Sequence, residues 1–300
     1  MTALHSQKSQ VKDVFTVVLD AGHGGKDSGN RGNQYYEKHI ALTVTLKIGA
    51  ILKKNPDINI IYTRKNDVFI PLNKRADIAN SAKADLFVSI HCDAHTSNAY
   101  GAGTFVLGLH ENDRNFRIAQ KENSVIFLEE DYEKNYNGFD PNNPESVISL
   151  VLMQETYLDQ SIQAANTIQQ SFVRNLKRKN RTVKQAGFLV LRNTYMPSVL
   201  VELGFLTNKI EGAYLNSKKG QNEMSEAIAK AIVSYKKFLQ SDLQGDVVFE
   251  DSSTNMEENS LVSEYTFRVQ ISASKMMLEP KSFNFMGLSP IKRIKSGSLY

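Results

Sequence analysis

In 300 residues there is one cysteine, Cys92. A single thiol excludes an intrachain disulfide and a structural zinc site built on thiolates. No stretch of 18 apolar residues occurs, so no segment reads as a membrane-spanning helix. Residues 1–12 are polar and lack the apolar core of a signal peptide. That leaves two readings open, a cytoplasmic chain or one whose leader has been removed. Concentrated charge is also missing. The net charge is +4 and spread along the chain, too diffuse for a nucleic-acid surface, although an anionic polymer remains compatible with it. No internal repeat is visible.

What is present is enough apolar material, 41% of the residues, for a real core. The length suits one domain of about 200 to 250 residues with appendages. Phe15 to Leu19 is apolar and β-branched, a buried strand that stops at Asp20-Ala21-Gly22-His23-Gly24-Gly25. A loop follows, then a helix from Glu37 to Lys53 closed by Asn55-Pro56. Ile58 to Thr63 is a strand, Leu72 to Ala82 a helix, and Asp85 to Ile90 a third strand ending at His91. Gly101 to Leu109 reads as another strand, and 112–171 as helical, with a long helix opening at Pro144-Glu145 behind Asn143 and running past Ile168. Val183 to Leu191 and Ser198 to Leu203 read as strands, and Met224 to Leu239 as an amphipathic closing helix. Residues 241–262 form an acidic linker, and Tyr265 to Ala273 alternates like a half-buried strand.

Open α/β sheets carry their sites at strand ends, and two strands here end in histidine. His23, between glycines, suits a metal ligand or a catalytic base. His23, Glu37 and His91 together give two imidazoles and a carboxylate, with a fourth position left for water, as catalytic zinc requires. Glu202 interrupts the apolar strand Ser198-Val199-Leu200-Val201-Glu202-Leu203, and burying a lone carboxylate costs several kcal/mol unless it is paired or works at a site. Cys92 follows His91, but strand alternation turns the two side chains apart, so the thiol reads as a small buried residue rather than a nucleophile. The i, i+4 spacing of His91 and His95 carries no ligand argument, because His91 ends a strand. His39 faces away from Glu37, and His5 and His110 have no evident partner.

These segments resemble the zinc-dependent N-acetylmuramoyl-L-alanine amidases. The resemblance rests on Val18-Leu19-Asp20-Ala21-Gly22-His23-Gly24-Gly25, Glu37, Tyr62-Thr63-Arg64, Leu72 with Arg75 and Ala76, Ala84 to Ala94, Phe188 to Arg192 and Pro197 to Leu206, in order over about Phe15 to Leu239. It implies an α/β fold with a central, mostly parallel, mixed sheet flanked by helices. It also implies hydrolysis of the amide between N-acetylmuramic acid and L-alanine of peptidoglycan, with one zinc ion held by His23, Glu37 and His91, and Glu202 as the catalytic glutamate. Some relatives that split daughter cells carry a helical insertion that covers the zinc until an activator protein displaces it. By that likeness 112–171 is expected to be regulatory, with Glu122, Glu145 and Glu155 as candidate plugging ligands. Arg192 and Asn193 are candidate substrate contacts. The expected domains are a disordered 1–13, a catalytic domain over 14–240, the linker, and at 263–300 a partial segment resembling a sporulation-related repeat (SPOR) domain. The implied setting is periplasmic or secreted. Two other readings stand beside the amidase: a noncatalytic peptidoglycan-binding or activator protein with the same fold, and another zinc hydrolase of small amides.

Overall fold

The computed structural model of the chain describes residues 14–109, 112–143, 146 and 155–244. The β-branched run at the start forms strand β1 (Phe15–Ala21), which is buried from its second residue onward. A short hairpin, β2 (Arg31–Gly32) with β3 (Tyr35–Tyr36), feeds straight into helix α1 (Glu37–Leu52). The chain then places β4 (Ile58–Tyr62) on one side of β1 and, after α2 (Leu72–Ser81), β5 (Leu86–Asp93) on the other. β6 (Ala102–Leu107) precedes α3 (Asp113–Asn123), a 3-10 turn at Ser124–Leu128 and α4 (Tyr132–Asn135). A second 3-10 turn, Glu155–Tyr157, opens the long α5 (Leu158–Leu176). β7 (Asn180–Ala186), the single turn α6 (Leu189–Arg192), β8 (Ser198–Phe205), α7 (Lys209–Asn216) and α8 (Lys218–Gln244) follow.

The six long strands make one sheet in the order β4-β1-β5-β8-β6-β7. β4, β1, β5 and β8 are parallel, whereas β6 runs antiparallel to β8 and parallel to β7. Because the chain leaves β1 for β4 on one side and returns to β5 on the other, the strand order reverses between β1 and β5. A crevice opens beyond the carboxyl ends of strands at such a point. His23 follows β1 and His91 lies near the end of β5, so both reach that crevice.

Strand alternation divides the core in two. Val17, Leu19, Val88, Ile90, Cys92 and Val201 pack under α1, α5 and α8, while Val18, Phe87, Phe105 and Leu200 pack on the opposite face with Ala119 of α3 and Leu189 to Leu191 of α6. Each fully buried leucine, valine or phenylalanine of these layers contributes about 2 kcal/mol. Cys92 is fully buried on the face away from His91, and burial raises its thiol pKa well above the usual range.

Several boundaries differ from the sequence expectation. The strand expected over 183–191 ends at Ala186, and the apolar residues after it form the turn of α6, since a short apolar run does not distinguish strand from buried helix. Arg192 therefore ends a helical turn and not a strand. The closing helix starts at Lys218 and runs to Gln244, into the expected linker. The described parts of 112–171 pack in two places. Ala164, Ala165 and Ile168 of α5 lie in the main core against α8 and β6, whereas α3 and α4 cover the other face. Of the long helix expected to open at Pro144-Glu145, the described part is α5 from Leu158, preceded by the 3-10 turn at Glu155–Tyr157; the expected start, with Glu145, lies outside the described residues, as do 1–13 and 245–300.

Candidate active site

His23 occupies the tight turn after β1 with φ +60°, a left-handed conformation that is uncommon outside glycine. Three carbonyls of this turn would be orphaned, and two buried arginines satisfy them. Arg75 donates to Ala21 O at 2.7 Å and His23 O at 2.8 Å, and Arg64 donates to Ala21 O at 2.9 Å and Gly22 O at 2.7 Å. Arg75 is also paired with Asp20 Oδ1 at 2.8 Å, both fully enclosed. Glycines clear the space above. A Cβ at Gly22 would meet the His91 ring at 2.5 Å, and one at Gly29 would meet the His23 ring at 2.5 Å and Glu37 Oε2 at 2.7 Å.

Glu37 is the first residue of α1, where the helix dipole favours a carboxylate. It is fully buried and held by backbone donors, Asn30 N to Oε2 at 2.7 Å and Cys92 N to Oε1 at 2.8 Å. Its Oε1 stands 3.0 Å from His23 Nε2 and 3.1 Å from His91 Nδ1. Glu122, from the last turn of α3, completes the group, with Oε2 at 3.1 Å from each of the same two nitrogens. These four buried residues, His23, Glu37, His91 and Glu122, form a cluster able to hold a metal ion.

Three observations say that the cluster fits a cation. His23 Nε2 and Glu122 Oε2 are 3.1 Å apart, yet both lack a hydrogen-bond partner among the described residues. Ligands bound about 2.0–2.2 Å from a tetrahedral centre stand roughly 3.3 Å apart, close to the separations of 3.0 and 3.1 Å found here. The field also has the right sign. Burial opposes a charged imidazole, but Glu37 and Glu122 outweigh it, raising the pKa of His23 well above its usual value and, with their hydrogen bonds, that of His91 to about 9. Carboxylates that favour a charged imidazole favour a cation by the same sign of charge.

A second layer fixes both rings. Asp27 Oδ2 lies 2.7 Å from His23 Nδ1, leaving Nε2 for the cluster. His91 Nε2 lies 3.0 Å from Ser89 Oγ, whose hydroxyl donates in turn to Asp20, leaving Nδ1 for the cluster. Sequence reading missed Asp20 and Asp27 in these positions. For Asp20 the signal was available, a charge interrupting an apolar strand just as Glu202 does.

Glu202 lies directly across the β5–β8 register from His91. Both its oxygens are buried without a hydrogen-bond partner among the described residues. Burial first, then the charges of Asp93, Glu122 and Glu37, raise its carboxyl pKa well above the usual range. Of the three glutamates considered as plugs, Glu122 is at the cluster, and Glu145 lies outside the described residues. Glu155 lies in the turn leading to α5. Asn193 is turned toward α2, its carbonyl accepting from Asn80 at 2.6 Å and its amide donating to Asn73 at 3.3 Å, beside a cavity of about 570 Å³. Arg192 ends α6, partly buried, and is likewise not among the four clustered residues.

The α3 helix is anchored at both ends. Asn112 caps it, accepting from Asn115 N at 3.0 Å, and Asn123 donates to Gly187 O at 2.7 Å and accepts from Leu189 N at 2.8 Å. Beyond it, Glu129 accepts from the Tyr136 hydroxyl at 2.9 Å and from Leu72 N at 3.2 Å, clasping the start of α2.

A family model described as N-acetylmuramoyl-L-alanine amidase matches residues 17–234. The amidase AmiA of Salmonella typhimurium is 35% identical over 224 residues, 73% of this chain and 75% of its own length. The Escherichia coli amidase AmiA is 34% identical over 235 residues, covering 77% of this chain and 78% of the relative. Among solved structures, an N-acetylmuramoyl-L-alanine amidase from Clostridium difficile superposes with a TM-score of 0.57 at 28% identity, over 75% of this chain and 98% of the other.

Proposed function

The chain belongs to the N-acetylmuramoyl-L-alanine amidase family, and from that premise we propose how it hydrolyses the amide joining N-acetylmuramic acid to L-alanine in peptidoglycan. His23 Nε2, Glu37 Oε1 and His91 Nδ1 hold one zinc ion, and Glu202 is the catalytic glutamate. Two imidazoles with carboxylate oxygen suit zinc. The observation that carries this reading is the convergence of these buried atoms, one of them, His23 Nε2, without a hydrogen-bond partner among the described residues, beside a buried glutamate on the adjacent strand.

When bound, zinc supplies Lewis-acid polarisation of the scissile carbonyl and acidifies the attacking water. The residues of the chain do the rest. Glu202 accepts the proton of the attacking water and delivers it to the alanine nitrogen as the carbon–nitrogen bond breaks. Its raised pKa suits the second role, because a protonated carboxyl is the donor. For the first role it has to be ionised, and the loss of the Glu122 charge together with the presence of a cation favours that form. Asp27 and Ser89 hold the histidine tautomers, while Arg64 and Arg75 fix the turn that presents His23.

Glu122 makes the arrangement self-blocking. With a metal held by His23, Glu37 and His91, its carboxylate, 3.1 Å from both histidine nitrogens, would compete with water for that metal and so inhibit the chain. An activator protein that draws α3 and α4 away from the crevice would open it. The substrate is outside the cytoplasm, and the protein therefore acts in the periplasm or after secretion. No helix among the described residues is long and apolar enough to cross a membrane. Replacing Glu202→Gln should leave the zinc content intact and abolish release of peptides from purified sacculi. Full activity in that variant at unchanged zinc content would remove Glu202 from the mechanism.

A further inference from the structure

Beside Glu202, away from the four clustered residues, an opening is lined by Asp93, Gly103, Arg114, Arg181 and Lys184. It adjoins a cavity of about 330 Å³ that shares Arg114 and Arg181 and adds His95, Tyr100 and Lys179. Three cationic side chains, Arg114, Arg181 and Lys184, thus line this opening with two carboxyls, Asp93 and Glu202, and Lys179 lines the adjoining cavity. The fold goes out of its way to aim Arg181 here. β7 bulges opposite Gly103, where the register slips between Ala102 and Thr104, and Thr182 takes φ +63°, a strained value for a β-branched residue. By simple alternation Arg181 would share the face of Val183, which packs in the opposite layer. The bulge re-aims it, as bulges beside sites do. Its guanidinium lies over the Phe205 ring at 4.8 Å, and its Nε is buried without a hydrogen-bond partner among the described residues. Lys184 lies over the Phe105 ring, 4.9 Å from the centroid, and burial together with the charge of Arg114 lowers its pKa to about 8. An anion would relieve that crowding.

Gly103 is the register partner of Glu202, between it and Arg181. A Cβ there would come within 3.1 Å of Arg181 Cβ and 3.5 Å of Lys184 Nζ. Glycine therefore leaves Arg181 and Lys184 uncrowded beside the catalytic glutamate. The group that protonates the leaving nitrogen has to stand on the side of the leaving peptide. The glycan next to the scissile bond is uncharged, whereas the stem peptide carries main-chain carboxylates. The geometry points to Arg181 and Lys184 as the residues that bind the carboxylates of the leaving stem peptide, at the opening beside Glu202. This specificity role rests on the amidase reading above.

The test compares two disaccharide-peptides, one with the free main-chain carboxylate of its acidic second residue and one with that group amidated. Both are offered to the zinc-loaded full chain carrying Glu122→Ala. The free carboxylate should be preferred about tenfold or more in kcat/KM, the worth of one charge-assisted hydrogen bond. The further changes Arg181→Gln and Lys184→Gln should collapse that ratio toward one, with Arg181→Lys retaining part of it. A merely structural role would lower both rates and leave the ratio alone. Equal cleavage of the two substrates by the Glu122→Ala chain, or an unchanged ratio in the glutamine variants, overturns the assignment. If neither substrate is cut, the amidase reading itself fails, and this one with it.

Discussion

Replacing Glu122→Ala removes one carboxylate from the cluster and nothing from the proposed machinery. In the folded chain that carboxylate approaches His23 Nε2 and His91 Nδ1 at 3.1 Å each and accepts from Asn30 Nδ2 at 3.4 Å. Breaking a buried pair of this kind costs about 3 kcal/mol at the low end. At 1.4 kcal/mol for each factor of ten, the open arrangement should become roughly a hundredfold more populated. Basal turnover should rise accordingly, because the open population limits the rate. Dye release from labelled sacculi, normalised to zinc content, measures it directly. The anchors at Asn123 and Glu129 stay in place, so the gain tests the plug itself and not general loosening of α3. An unchanged basal rate at equal zinc content would refute the blocking role of Glu122.

Two further expectations concern the groups behind the cluster. Asp27→Asn should weaken metal affinity about 10- to 100-fold, because the partner of His23 Nδ1 orients the ring and raises its basicity; competition with a chromogenic chelator measures this, and unaltered affinity would contradict it. Asp20→Asn addresses pH. Burial raises the pKa of Asp20, but Arg75 and the hydroxyls of Ser89 and Thr63 outweigh it and hold the carboxyl below its ordinary value. Its stabilisation is present above the unfolded pKa of about 4 and is lost as pH falls through the lower folded value. The asparagine variant should be about 3 kcal/mol less stable at neutral pH, with the gap narrowing in acid. Urea unfolding at both pH values reads this, and a constant gap would contradict it.

Much of the site was legible because strands are short and punctuated. His23 and His91 each end an apolar run, and a sheet whose strand order reverses between their strands has to bring them together. Glu202 was legible as a charge in a buried strand, and the orientation of Cys92 followed from alternation alone. What failed was local pattern without tertiary context. Phe188 to Leu191 looks like strand and forms a helical turn. The helical character of 112–171 hid a division between α3 and α4, which pack on one face of the sheet, and α5, which completes the core on the other. Excising the whole stretch would remove Ala164, Ala165 and Ile168 and disrupt the fold. Nothing in the spacing of Glu122, Glu145 and Glu155 says which one reaches a histidine, because that depends on how α3 docks. The aim of Arg181 is likewise invisible, since it depends on a one-residue slip in β7.

The central claim, that this chain uses zinc and Glu202 to cut the bond between the lactyl group and alanine, is tested most directly by mass spectrometry of what the zinc-loaded Glu122→Ala chain releases from purified sacculi. The account predicts stem peptides with a free N-terminal L-alanine and glycan strands with free lactyl carboxyls, and neither product when zinc is withdrawn or when Glu202→Gln is added. Release of fragments that retain the lactyl–alanine bond, or undiminished release without zinc, would contradict it.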